Sequence, residues 1–343
     1  MSQQLYGFYV SFSGEVTQNP INNVYALSTA GVTLSTAVLG ANPRQAFQEL
    51  RGMAFGPDGN FYVAQAWKGA SAVMQFDGAL SQGSYTMSFN ENFVTASASA
   101  GLVHPYQPVF GPDGNLYVSS QDTNVVTVFY GPENSSAGQA GPDASSLPTG
   151  TFYPGTFVPA FSAAVGIPPN TSVPVADGGL TFLTTSSSTH SVRGLAFDSS
   201  GNLYVADEGN NRVAVFNSTG AVLGFITGSK SHTISEPVAL CFDVAGETLY
   251  IASPGNNTIF TYDASGAGKS EFTAKLLISD ASLDKLSGIA VDPSGNLYSC
   301  SRGDMTISIW TESNGAWSAS SFAGPFTDSP EQIMPVYTPI VGQ

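Results

Sequence analysis

Positive charge is the scarcest resource in this sequence. Ten Lys and Arg stand against 25 Asp and Glu over 343 residues, for a formal net charge of −15. Nucleic-acid phosphates and anionic bilayers are both held by clustered cations, so this balance argues against either as a partner. Long apolar runs are missing as well. No stretch reaches the roughly 18 apolar residues of a membrane-spanning helix. The opening Met1–Phe8 has no cationic segment followed by an apolar one, so no signal peptide is expected within this sequence. Histidine is limited to His104, His190 and His232, none with a ligand-spaced partner, which speaks against a zinc site and for an absence of cofactor. A single structural Ca²⁺ on channel carbonyls is left open. The two cysteines, Cys241 and Cys300, fall at small inward strand positions and are expected as buried free thiols. Helical periodicity is absent, which leaves strands to build the fold.

What is present is repetition. Arg193 to Phe216, RGLAFDSSGNLYVADEGNNRVAVF, alternates apolar residues through GLAF, turns at Gly201-Asn202, alternates again through LYVAD and starts a third strand at RVAVF. Copies begin at Arg51 (RGMAFGPDGNFYVAQ), Tyr106 (YQPVFGPDGNLYVSSQ), Val238 (VALCFDVAGETLYIAS) and Ser287 (SGIAVDPSGNLYSCS). A sixth unit is split between the termini. IMPVYT from Ile333 matches YQPVFG as a first strand, while Phe8 to Ser11 supplies a second strand and residues 24 to 28 and 33 to 39 a third and fourth. The spacing is that of a four-stranded propeller blade, and pairing the last strand with the first blade would close the ring and remove exposed edges. The expectation is one all-β domain over residues 1–343: a six-bladed β-propeller of four-stranded antiparallel blades.

Val192 to Val213 resembles the repeat of the NHL-repeat β-propellers, and the PDGNLYVSS form, with Thr149 to Phe161 as a fourth strand, is similar to units of secreted and envelope-associated propellers. The resemblance implies the fold far more specifically than an activity. In blade form the chain is also distantly similar to the gluconolactonase and regucalcin group, whose metal motif is not matched. Leu50-Arg51-Gly52 and Val192-Arg193-Gly194 stand where that group carries its metal-bearing aspartate.

Two stretches depart from the repeat. Residues 131–149 are rich in Gly, Pro and Ser and read as a loop insertion in the third blade, and residues 162–192 read as a second insertion suited to a lid. Residues 90 to 105 read as a long connection between the second and third blades. The repeated Asp58, Asp113, Asp198, Asp243 and Asp292 follow the first strands and are expected to cap turns, with Tyr62, Tyr117, Tyr204, Tyr250 and Tyr298 packed between blades.

First strands line the channel of a propeller, so their starting residues, Arg51, Tyr106, Arg193, Val238, Ser287 and Ile333, are expected to ring its mouth. Two residues earlier stand Glu49, His104, Ser191, Glu236, Lys285 and Glu331. Loops after the second strands add Trp67, Asp207 and Arg302. The candidate catalytic set is His104, Glu49 and Glu236, as proton donors and acceptors. The candidate ligand-binding set is Arg51, Tyr106, Arg193, Trp67, Asp207 and Arg302, with the arginines suited to an anionic group. The function expected is small-molecule binding by a metal-independent lyase, cyclase or hydrolase, the ligand being small, organic and anionic. The alternative is a non-catalytic scaffold that binds a protein or glycan through its loops. Low Lys, abundant Ser, Thr and Gly, and high acidity point to an extracellular or extracytoplasmic protein, expected as a monomer.

Overall fold

The computed structural model describes residues 4–14, 19–41, 47–78, 85–95, 102–122, 125–139, 180–181, 192–217, 222–265 and 272–337. Six sheets form, one built around each repeat unit. Blade 2 begins with Leu50–Phe55, Phe61–Gln65 and Ala72–Phe76 and ends on Met87–Thr95. Blade 3 runs Pro105–Phe110, Leu116–Ser120 and Val125–Phe129. Blade 4, the cleanest repeat, runs Val192–Phe197, Leu203–Asp207, Arg212–Phe216 and Val222–Ile226. Blade 5 spans Ala239–Phe242 to Lys275–Ser279, and blade 6 spans Leu286–Val291 to Ala316–Ala323.

Blade 1 closes the ring as expected: Pro330–Tyr337 pairs antiparallel with Leu5–Phe12, which continues to Tyr25–Leu27 and Thr33–Thr36. Three boundaries differ from the sequence reading. Val38–Leu39 leaves blade 1 and pairs in parallel with Met87–Ser88 of blade 2, where Val38 is buried in one cluster with Met87 while Leu39 stays exposed. Residues 90 to 95 belong to the outer strand of blade 2, so the connection to blade 3 is shorter than expected. The outer strand seen in blade 3 is Leu180–Thr181, inside the segment read as a lid, whereas Thr149–Phe161 lies outside the described residues. So do the rest of 140–191 and hence any lid. The described part of the first insertion, residues 131–139, is a hydrogen-bonded turn in which Tyr130 and Gln139 pair through their backbones at 2.9 Å.

Each turn after a first strand is built on its aspartate. Asp198 accepts from the backbone N–H of Ser200 and Asn202 and from the Asn202 amide, and the Tyr204 hydroxyl donates to it at 3.1 Å. Asp58, Asp113 and Asp292 repeat this with Tyr62, Tyr117 and Tyr298. The tyrosine ring then packs edge-on against the phenylalanine of the next blade, as in Tyr62–Phe110, Tyr117–Phe197 and Tyr204–Phe242, with centroids 4.8–5.2 Å apart. Aromatic pairs of this geometry contribute about 0.5–1.5 kcal/mol each beyond their burial. One side chain thus serves both the turn and the blade interface.

Toward the axis, blades approach so closely that a Cβ at Gly194 would sit 2.9 Å from the Val238 carbonyl oxygen and one at Gly288 2.7 Å from that of Glu331. Glycine at the third position of the inner strand is what lets neighbouring blades meet. Both cysteines are free thiols. Cys300 is buried as expected, while Cys241 is half-buried in a cleft at the opposite end of the channel from the mouth. No helix among the described residues is long and apolar enough to cross a membrane.

Candidate functional site at the channel mouth

The strand starts converge as the repeat implied, with one correction of register. Leu50 pairs with Gln65, Pro105 with Ser120, Val192 with Asp207 and Leu286 with Ser301; in the seam blade the corresponding pair is Pro330 with Phe12. Glu331 therefore occupies the ring position of Arg51, Tyr106 and Arg193, and Ile333 sits two residues deeper. The shared proline of IMPVYT and YQPVFG had suggested the other alignment.

This correction places a carboxylate at the centre of the site. Glu331, 1% exposed, lies 3.0 Å from Arg51 Nη1 and 3.6 Å from Arg302 Nε. Burial works to raise its pKa, but Arg51, Arg302 and Arg193 outweigh that effect and hold it below the usual carboxylate range. Tyr106 lies alongside, its phenol pushed up by burial and then by Glu331, so it stays a protonated donor. Arg193 stands 5.1 Å over the Tyr106 ring and donates from Nε to Glu208 Oε2 at 3.0 Å. Burial opposes the Arg193 charge, yet Glu208, Tyr106 and Glu331 raise its pKa above the ordinary value.

Above this cluster opens a cleft of ≈ 400 Å³ between blades 4, 5 and 6. Tyr106, Arg193, Glu208, Glu236, Lys285, Arg302 and Glu331 all line it. Of the residues singled out in the sequence, Tyr106, Arg193, Arg302 and Glu236 thus share one concavity. Arg51 does not line it: the side chain is buried beneath the mouth as the partner of Glu331 rather than offered to a ligand. Asp207 is a buried partner of Arg212, 2.7 Å away, and of Asn210. Among the described residues, sequence reasoning missed Asp284, Pro254, Asn257, Leu286 and Ser329 in the lining. For Pro254 and Asn257 the signal was present, since SPGNN in blade 5 repeats DEGNN in blade 4, and both form a short 3₁₀ turn closed by a left-handed Asn.

His104 and Glu49 form a second, separate cluster between blades 2 and 3. The His104 Nδ1 lies 3.2 Å from Asp122 and its Nε2 3.8 Å from Glu49, while Lys68 reaches Asp122 at 2.7 Å. The hydrogen bond from His104 pushes the Asp122 carboxyl down to about 2 against the effect of burial, with Lys68 assisting. Trp67, exposed beside Lys68, belongs to this side of the mouth. None of His104, Glu49 and Trp67 lines the cleft of Arg193 and Glu331. No group of three or more His, Cys, Asp or Glu among the described residues is arranged to hold a metal ion.

The NHL repeat family model matches residues 189–216, the unit that defines blade 4. The ring is similar to a putative 6-phosphogluconolactonase of Bacteroides fragilis, with 15% identity, 97% of this chain and 98% of that one covered, and a TM-score of 0.57. It is similar also to PpgL, a periplasmic gluconolactonase of Pseudomonas aeruginosa, with 14% identity, coverage of 98% and 100%, and a TM-score of 0.55. A chain of a nidogen/laminin complex aligns with 11% identity, coverage of 95% and 97%, and a TM-score of 0.56. No curated protein matches the chain by sequence. The protein is a six-bladed β-propeller carrying an NHL repeat, and at these identities the likeness concerns the fold.

Proposed function

We propose that the protein binds a small, anionic organic molecule in the mouth cleft and acts on it as a metal-independent enzyme of the lyase, cyclase or hydrolase type. The observation that supports this reading best is where the scarce cations go. Of ten Lys and Arg in the chain, Arg193, Lys285 and Arg302 line one ≈ 400 Å³ cleft, and Arg51 lies directly behind it. Arg193 is anchored through Nε to Glu208 at 3.0 Å, which fixes its plane before a ligand arrives, and Arg302 is drawn toward the buried Glu331 at 3.6 Å. A planar guanidinium held in this way suits a carboxylate or a developing oxyanion.

Within the cleft, Tyr106 supplies a protonated phenol and Glu236 a carboxylate placed to exchange a proton with bound substrate. Glu236 is the member of the sequence-derived catalytic set that lines this concavity. Two structural neighbours, a putative 6-phosphogluconolactonase and a periplasmic gluconolactonase, agree with a hydrolytic reaction on this fold. A scaffold would present a broad apolar surface instead, and the exposed large apolar side chains, such as Val32, Trp67, Leu223 and Val244, are spread over several blades.

The test is a thermal-shift screen of small carboxylates and lactones against the parent and Arg193→Lys. A ligand at 100 times its dissociation constant adds about 2.7 kcal/mol of stability. The reading requires at least one such acid to raise the parent Tm and to lose at least about tenfold in affinity when the paired donors of Arg193 are replaced by a point charge. A complete screen without a hit, or a hit indifferent to Arg193, counts against it.

A further inference from the structure

Four mouth residues share an unusual backbone. Glu49, His104, Glu236 and Lys285 each stand two residues before the ring position of their blade, and each has φ between +50° and +57°. That region costs free energy for any residue bearing a Cβ and is normally given to glycine or asparagine. At its turns the chain mostly follows that norm, with Asn211, Asn257 and Asn314 at φ of 53–55°, while Phe272 and Met305 are apolar exceptions at 43° and 56°. At the mouth it places ionisable side chains instead. Strained backbone of this kind concentrates where a side chain is needed for a ligand.

Two of the four, Glu236 of blade 5 and Lys285 of blade 6, line the cleft and carry opposite charge. Among the described residues neither makes a salt bridge, in contrast to Arg193 with Glu208 and Arg302 with Glu331. Asp284, next to Lys285, adds a second carboxylate to the same wall. The cleft therefore presents cations, Arg193, Arg302 and Lys285, and also carboxylates, Glu236 and Asp284, that could meet an ammonium.

Resting on the reading of this cleft as an anion-binding site, we infer that its ligand is bipolar, a zwitterion such as a free amino acid or short peptide, and that Glu236 and Lys285 are the residues that select it. Lys285 joins Arg193 and Arg302 in holding the carboxylate. Glu236, with Asp284, takes the ammonium. The unfavourable backbone is kept because glycine there would fold at least as well and discriminate nothing.

The experiment titrates three probes by calorimetry: L-alanyl-L-alanine, its N-acetyl derivative, which lacks the ammonium, and its C-terminal amide, which lacks the carboxylate. The dipeptide is expected to bind at least about tenfold more tightly than either blocked form. Glu236→Gly is expected to bring the dipeptide down to the affinity of the N-acetyl form without changing the latter, and Lys285→Gly to weaken both carboxylate-bearing probes. In both variants Tm is expected to hold or to rise by about 1 °C, since the left-handed strain is removed. Equal binding of the dipeptide and its N-acetyl form, or unchanged selectivity in Glu236→Gly, overturns the inference while leaving the anion-binding reading intact. No binding of any of the three overturns the inference, and the anion-binding reading then stands or falls on the acid and lactone screen alone.

Discussion

Replacing Glu331 by Gln tests whether the mouth is organised around one shared carboxylate. The substitution keeps the volume and removes the charge. Arg51, 3% exposed in its side chain, then loses a partner at 3.0 Å, and Arg302 loses one at 3.6 Å. Breaking a buried pair from one side typically costs about 3–5 kcal/mol, because a buried charge loses a partner that compensated its desolvation. With an unfolding entropy of about 2.1 cal/mol/K per residue, the chain changes by about 0.7 kcal/mol per degree near its midpoint, so Tm should fall by about 4–7 °C at pH 7. The pH dependence has a definite sign. Glu331 titrates below the ordinary carboxylate range in the folded protein, so its contribution is complete above the unfolded value of about 4.3 and is lost as pH falls through the lower folded value. The gap between parent and variant should therefore be widest near neutrality and narrow below about pH 4. Calorimetric scans from pH 3 to pH 8 measure it. A Glu331→Gln variant melting within about 1 °C of the parent at pH 7 would refute the claim that this carboxylate holds the arginine cluster.

Other expectations follow from the same geometry. Deleting residues 331–343 removes most of the inner strand of blade 1 and leaves Leu5–Phe12 unpaired on one side, so the product should aggregate or melt far below the parent; a soluble truncation with the parental Tm would contradict the seam. Asp122 titrates at about 2, so its contribution to stability is present above about pH 4 and lost between about pH 4 and pH 2; Asp122→Asn should flatten that acid limb, and an unchanged acid profile would show that the pairs with His104 and Lys68 contribute nothing. Treatment with a chelator is expected to leave any ligand-induced shift in Tm unchanged, and its loss, restored by a divalent ion, would replace the metal-independent proposal.

Most of the ring was legible because the repeat writes blades 2, 3, 4 and 6 twice, once in the alternation of apolar residues and once in the Asp–Gly–Asn–Tyr turn that also glues blades together. Blade 4 needs no tertiary information to be drawn, and Asp198 and Tyr204 do what their spacing implies. The seam was less legible. Its inner strand lacks the turn that fixes register elsewhere, and Pro335 imitated Pro108, so Glu331 was set aside from the ring it completes. The site was legible by position but not by side: equal positions on successive blades point around a circle, so Glu49 and His104 share the mouth with Arg193 and Glu236 yet face a different wall. Burial was also hidden. Arg51 and Arg193 occupy equivalent positions and read alike, but the seam blade brings Glu331 onto Arg51, which lies buried beneath the mouth.

The most direct measurement is a crystal structure of the protein soaked with the best acid from the thermal-shift screen. The account predicts density for its carboxylate within hydrogen-bond distance of Arg193, Arg302 or Lys285, above the buried Glu331, and a shift of that screen hit's affinity when Arg193 is changed. Density in the cleft lined by Cys241 and Tyr337 at the opposite end of the channel, or beside His104 and Trp67 with the Arg193 cleft empty, would contradict it.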